Sequence, residues 1–123
     1  IILVKPQTFM NLSGICVANF KQFFKVTVAD IFVIYDDIDL GFGEIKIKQG
    51  GGDAGHKGVR SISQHLKTKD FNRIRLGIGR PKTKEEVSHF VLSNFSKTER
   101  DKVFILTQSI CENFEKIIQK KPT

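Results

Sequence analysis

GEIKIKQGGGDAGHKGVRSI, Gly43 to Ile62, changes character twice within a short span. From Gly43 to Lys48 it alternates, with Glu44, Lys46 and Lys48 facing one way and Ile45 and Ile47 the other, which is a strand with one wet face. A helix is expected from about Gly58 to Leu66. Between the two, five of the thirteen residues from Gln49 to Ser61 are glycine, and His56 and Lys57 sit side by side among them. Glycine at such density leaves room for something to lie close against backbone. A loop that leaves a strand and enters a helix is also where open α/β sheets carry their functional sites.

The rest of the chain continues the alternation of strand and helix. Ile1 to Val4 reads as a buried strand. From Asn11 to Phe24 the residues Leu12, Ile15, Cys16, Phe20, Phe23 and Phe24 recur at helical spacing, with Asn11 or Ser13 as the cap. Ile31 to Tyr35 is a β-branched and aromatic run of the kind found in central strands. Asn72 to Ile78 alternates again, Arg73 and Arg75 opposite Ile74, Leu76 and Ile78. A short helix is expected over Thr83–Leu92, with Glu85 and Glu86 in its first turn. A long one is expected over Ser96–Lys120, capped by Ser96 and Glu99, with a core stripe of Val103, Leu106, Ile110, Phe114 and Ile117. This order predicts an α/β fold, a three-layer sandwich whose mixed, mostly parallel sheet is flanked by helices. The short link from Tyr35 to Gly43 suggests one antiparallel or edge departure. Residues 1–123 read as a single domain, without repeats or low-complexity segments.

The bulk composition narrows the partners. Twenty Lys and Arg against thirteen Asp and Glu leave a formal charge of +7, which favours a polyanion, with nucleic acid ahead of membrane. The longest strongly apolar run, IFVIY, is too short to span a bilayer. Cys16 and Cys111 are too few for a disulfide framework and are expected as buried free thiols in a reducing, cytoplasmic setting. N-L-S at Asn11–Ser13 matches a glycosylation acceptor that a cytoplasmic chain would not use. A chain that opens at Ile1, straight into a strand, is expected to be part of a longer protein. A monomer is the default state.

Three segments carry candidate chemistry. In the glycine loop, Gly50, Gly52 and Gly55 satisfy G-x-G-x-x-G, with Asp70 at a suitable distance. That fingerprint normally opens a βαβ unit, whereas this loop follows a half-polar strand. A phosphate-binding P-loop fails as well, because His56 follows Gly55 and the lysine comes one place late. The cations fit better. Lys46 and Lys48 share one strand face and Arg73 and Arg75 another, and a strand–helix–strand crossover would make the two strands parallel neighbours. Four cations beside a helix N-terminus form an anion site suited to a backbone phosphate, against the plainer reading of a solvated strand face. His56, among glycines at a helix start, reads as functional, while His65 and His89 read as ordinary. The second segment is DDID, Asp36 to Asp39, whose acids suit either the orientation of a general base or, as the second choice, a divalent metal. The third is FMNLSG, Phe9 to Gly14, where an asparagine can both donate and accept to hold an amide, a carbonyl or a water.

Taken together and in order, KPQTFMNLSG, VIYDDIDLGFGEIKIKQGGGDAGHKGVRSI, FNRIRLGIGRP and FVLSNFS resemble the bacterial peptidyl-tRNA hydrolases, over essentially the whole chain. The resemblance implies hydrolysis of the ester joining a peptide to the 3′ end of tRNA, with peptidyl-tRNA as partner and no metal or other cofactor. By position, Asn11 corresponds to the asparagine that holds substrate or water. Asp36 corresponds to the aspartate that orients the catalytic histidine, and His56 to the loop histidine. Lys48 and Arg75 correspond to the clamp on the tRNA 5′ phosphate, with Lys46 nearby. Two departures stand out. Lys57 occupies the place of an asparagine, since the family's G-H-N-G reads G-H-K-G here. The family's first strand and its catalytic histidine precede the segment that opens at Ile1. Other proteins that resemble this family, the plant organellar intron-splicing factors, bind RNA without catalysis, which is the alternative function. A metal-dependent phosphoryl transferase using Asp36, Asp37 and Asp39 is the third.

Overall fold

The computed structural model describes residues 1–79 and 97–119. The helix expected over Thr83–Leu92 and the Ser96 cap lie outside the described residues. In chain order the regular elements are α1 (Ser13–Phe24), β1 (Phe32–Asp37), β2 (Ile45–Gln49), α2 (Lys57–Leu66), β3 (Asn72–Gly77), α3 (Lys97–Glu112) and α4 (Phe114–Gln119). Short 3-10 turns at Met10–Leu12 and Val28–Asp30 lead into α1 and β1. The fold is α/β, with a mixed sheet of order β1-β3-β2.

The strand directions follow from the backbone bonds. Asn72 N–H donates to Ile31 O at 3.0 Å and Ile78 N–H to Asp37 O at 3.1 Å, so β1 and β3 run parallel. Gly50 N–H donates to Phe71 O and Gly77 N–H to Glu44 O, so β2 runs antiparallel to β3. This corrects the expected crossover: β2 and β3 are neighbours joined through a helix, yet they are not parallel. The reason is the length of the loop. Seven residues between Gln49 and Lys57 reach up to ~24 Å when extended. The ten residues of α2 span only about 15 Å. The loop therefore carries the chain back along the sheet before the helix begins, and α2 returns it to the end where β2 stopped. Lys67 closes α2 in the left-handed conformation, and Phe71 then lies beside Gly50.

The described chain divides into two compact units. The first joins Ile1–Tyr35 to Ile47–Ile74. Its core is Tyr35, Val59, Ile62 and Phe71, with Val17, Val28, Ile31, Val33 and Leu66 packed around them. The alternating side chains of β1 and the apolar stripe of α2 meet there, and α1 packs along α2. That helix pair is close enough that a Cβ on Gly14 would overlap the carbonyl of Ser61. The buried amide of Asn72 fastens the 3-10 turn ahead of β1, donating to Ala29 O at 2.7 Å and Ile31 O at 3.2 Å.

Three expectations change in this unit. Ile1–Val4 is not a strand and is exposed, Ile1 by 85%. A strand needs a neighbour to exchange backbone bonds, and the described sheet places none beside it. Neither Asn11 nor Ser13 caps α1: the N-cap is Leu12, without a side-chain bond, and the Ser13 hydroxyl instead donates to Met10 O at 2.8 Å. Cys16 is half-buried rather than buried.

The second unit joins Asp36–Lys46 to the chain from Arg75 onward. Leu40 is buried under a turn in which Gly79 N–H donates to Leu40 O and Gly43 N–H to Gly77 O. The expected single helix to Lys120 is interrupted at Asn113, whose side-chain amide donates to Ser109 O at 2.9 Å and so competes for a helix carbonyl. Ile110 is buried, Phe114 and Ile117 are half-buried, and Cys111 is exposed rather than buried. Val103 and Leu106 lie outside the described side chains. Among the described residues no helix is long and apolar enough to cross a membrane.

Candidate active site

The path of the glycine loop is fixed from below by Arg73. This side chain is 1% exposed. Its guanidinium donates to Gly52 O at 2.9 Å, to Gly51 O at 2.9 Å and to Lys69 O at 3.1 Å, and it lies 4.3 Å from the centre of the Phe71 ring. Arg73 is expected from spacing to join Lys46, Lys48 and Arg75 in an anion site. It instead holds loop carbonyls inside the first unit, because a buried guanidinium needs acceptors and the bare backbone of successive glycines offers them. Gly51 has φ +108°, which side chains rarely tolerate, and the ammonium end of Lys48 folds over the space where its Cβ would be. Lys48 itself is exposed, as the alternation of β2 predicts.

The loop ends at His56, which is the N-cap of α2. Its Nδ1 accepts the Val59 N–H at 3.2 Å. The neutral ring therefore carries its proton on Nε2. The ring meets Tyr35, on β1, edge to face with centroids 5.2 Å apart. Gly58, the second residue of α2, is buried because Met10 Sδ and the His56 ring occupy the space a Cβ would need. The 3-10 turn that carries Asn11 is thus seated on the first turn of α2, and Asn11 and Lys57 are both exposed there. Asn11, His56 and Lys57, which lie on two separate sequence segments, are brought to one end of α2.

Asp53 and Arg60 tie the loop to the helix. Arg60 Nε donates to Asp53 Oδ2 at 3.1 Å, and Gly55 N–H to Asp53 Oδ1 at 2.9 Å. The Arg60 hydrogen bond, then the Gly55 amide, hold the Asp53 carboxyl below the usual carboxylate range.

In the second unit the acidic segment has a defined internal order. Asp37 is 4% exposed; its Oδ2 accepts from Arg75 at 3.3 Å and its Oδ1 from Asp39 N–H at 2.8 Å. Asp36 is half-buried and, one residue earlier on the strand, points to the other face. Lys46 is exposed. Among the described residues no three His, Cys, Asp or Glu side chains are grouped to hold a metal ion. Sequence reasoning missed Asp37 as the partner of Arg75 and Tyr35 as the partner of His56. The signal for both was alternation: Val33, Tyr35 and Asp37 share the buried face of β1.

Two outcomes follow from this geometry. Arg73→Met leaves the Gly51, Gly52 and Lys69 carbonyls without their charged donor, and lowers stability in urea unfolding by at least ~2 kcal/mol. Asp53 has its carboxyl pKa depressed by folding, so its contribution is present above its unfolded pKa and is lost as pH falls through the folded one. The melting temperature of the native protein should therefore exceed that of Asp53→Asn at pH 7, and the two should converge below about pH 4.

The chain matches the sequence pattern of the peptidyl-tRNA hydrolases over residues 1–123. It is 47% identical over 117 residues to the peptidyl-tRNA hydrolase of Mycobacteroides abscessus, covering 95% of this chain and 60% of that protein. It is 45% identical over 120 residues to the peptidyl-tRNA hydrolase of Citrifermentans bemidjiense, covering 98% and 63%. The crystal structure of peptidyl-tRNA hydrolase from Acinetobacter baumannii superposes with a TM-score of 0.76 at 36% identity, over 91% of this chain and 55% of that one. The chain thus spans 60% to 63% of the length of these two relatives. It belongs to the peptidyl-tRNA hydrolase family.

Proposed function

We propose that the protein hydrolyses the ester between peptide and tRNA in peptidyl-tRNA, returning free tRNA to translation in the cytoplasm, and that it acts as a monomer without a metal or other cofactor. The observation that carries this reading is the meeting of the Asn11 turn with the His56 end of α2, beside a glycine loop open enough for an acceptor end to lie on backbone.

Water attacks the ester carbonyl, an oxyanion forms, and its collapse releases the 3′ ribose hydroxyl of tRNA and a free peptide acid. Asn11 holds the carbonyl or the attacking water, since its amide both donates and accepts. Lys57 donates to the oxyanion. His56 serves as a donor through Nε2. It is not the base: a lone pair on Nε2 would require the proton on Nδ1, and that would break the Val59 cap. The family resemblance assigns the base to a second histidine, which is not among these 123 residues, and assigns its orientation to Asp36. Lys48 and Arg75, with Lys46, are the residues that the family resemblance assigns to a tRNA phosphate. These contacts position the substrate without reading its sequence. Arg73 contributes indirectly, by fixing the loop.

Lys48→Ala should weaken tRNA binding and reduce the dependence of log K on log salt by about one unit, while leaving small ester substrates nearly unaffected. Unchanged affinity across salt concentrations would remove Lys48 from the clamp. Asp36→Asn should bind tRNA normally and lower kcat on peptidyl-tRNA, because the base loses its orienting acceptor. A mutant as fast as the native protein would exclude Asp36. Native protein that binds tRNA and releases no peptide would identify a non-catalytic RNA-binding module instead.

A further inference from the structure

The start of α1 is capped from outside. Its N-cap, Leu12, has no side chain able to accept a hydrogen bond, and helix starts leave several N–H groups without partners. The N–H of Gly14, the second residue of the helix, is the one an N-cap side chain would ordinarily satisfy. Here it donates to the hydroxyl of Ser61, on α2, at 2.9 Å across 47 residues of sequence. Ser61 is 2% exposed, so no solvent competes for that bond. Gly14 can reach it only because it lacks a side chain, since a Cβ there would meet the Ser61 carbonyl and the His65 ring.

A second contact lies one helical turn away on the same face of α2, where Met10 Sδ fills the space above Gly58. Met10 and Gly14 bracket Asn11. The backbone of the Asn11 turn is therefore held on both sides by α2, at Gly58 and at Ser61, while the Asn11 side chain stays exposed.

We infer that Ser61 is a positioning residue: by accepting the Gly14 N–H it sets Asn11 at a fixed place relative to His56 and Lys57. This rests on the proposed role of Asn11 in turnover. Ser61 touches no substrate. Its loss leaves a buried N–H in search of a partner, and the turn moves to find one. A displacement of about 1 Å at a reacting group is enough to lower turnover roughly ten- to a hundredfold without changing phosphate contacts made elsewhere.

The test is a double-mutant cycle on peptidyl-tRNA hydrolysis, with tRNA affinity and amide exchange measured in parallel. Ser61→Ala should lower kcat by at least tenfold, leave tRNA affinity within about twofold, and speed exchange of the Gly14 N–H. Ser61→Thr, which keeps the hydroxyl, should recover most of the rate. In an Asn11→Ala background Ser61→Ala should cause no further loss, because it acts through Asn11. Native turnover in Ser61→Ala beside a slow Asn11→Ala overturns the inference and spares the role of Asn11. Multiplying losses in the double mutant also overturn it. Native turnover in Asn11→Ala overturns both. If Ser61→Ala lacks a cooperative thermal transition, Ser61→Cys runs the same cycle, since it keeps the volume and offers only a weak acceptor.

Discussion

A buried guanidinium under a glycine-rich backbone sets the order of the first unit. The acceptors of Arg73 are three main-chain carbonyls, two of them in the loop. Carbonyls of residues with side chains would be harder to bring together over one planar donor. The run Gly50–Gly52 supplies them at the cost of conformational entropy in the unfolded chain. With its carbonyls held, the loop runs back along the sheet instead of bulging into solvent. That route decides where α2 begins, and therefore that His56 meets Tyr35 and that the turn around Asn11 has a helix end to sit on.

The sequence made the local elements legible because each rests on periodicity. The alternation of Ile45 and Ile47 with Lys46 and Lys48, and the helix over Lys57–Leu66, lie within a residue or two of where pattern alone puts them. The direction of β3 against β2 was not legible. It depends on the reach of a loop that has no periodicity, and the same strand–helix–strand order serves either direction. The fate of Arg73 was hidden for a related reason. Alternation places Arg73 and Arg75 on one face of β3, but it cannot say that the face is roofed by a loop from another segment. A face that reads as polar can still be interior when backbone acceptors lie over it. Ile1–Val4 shows the converse: an apolar run is a strand only when a neighbour completes its ladder.

The cations divide accordingly. Lys46, Lys48 and Lys57 are exposed, whereas Arg73 is bound to loop carbonyls and Arg75 to Asp37. A phosphate that approaches the lysines meets charge without having to break an internal bond. One that approaches Arg75 shares it with a buried carboxylate, so the geometry of that guanidinium is set before any ligand arrives. An exposed lysine offers an anion salt-dependent attraction, whereas an arginine held by a carboxylate offers a donor of fixed direction.

The helix cap and the chemistry at His56 are one arrangement. Capping by Nδ1 assigns the proton of the neutral ring to Nε2, so the residue enters any reaction as a donor. Lys57, next to it, is a donor as well and has no acceptor to offer. An asparagine in that place could hold both a carbonyl and a water's hydrogen. With lysine, the α2 end can stabilise developing negative charge but cannot accept a proton or orient a water by accepting from it. On the other segment, the exposed amide of Asn11 offers the acceptor that Lys57 lacks. In the proposed hydrolysis, the placement of a single asparagine therefore matters more than the sequence motif around His56 suggests.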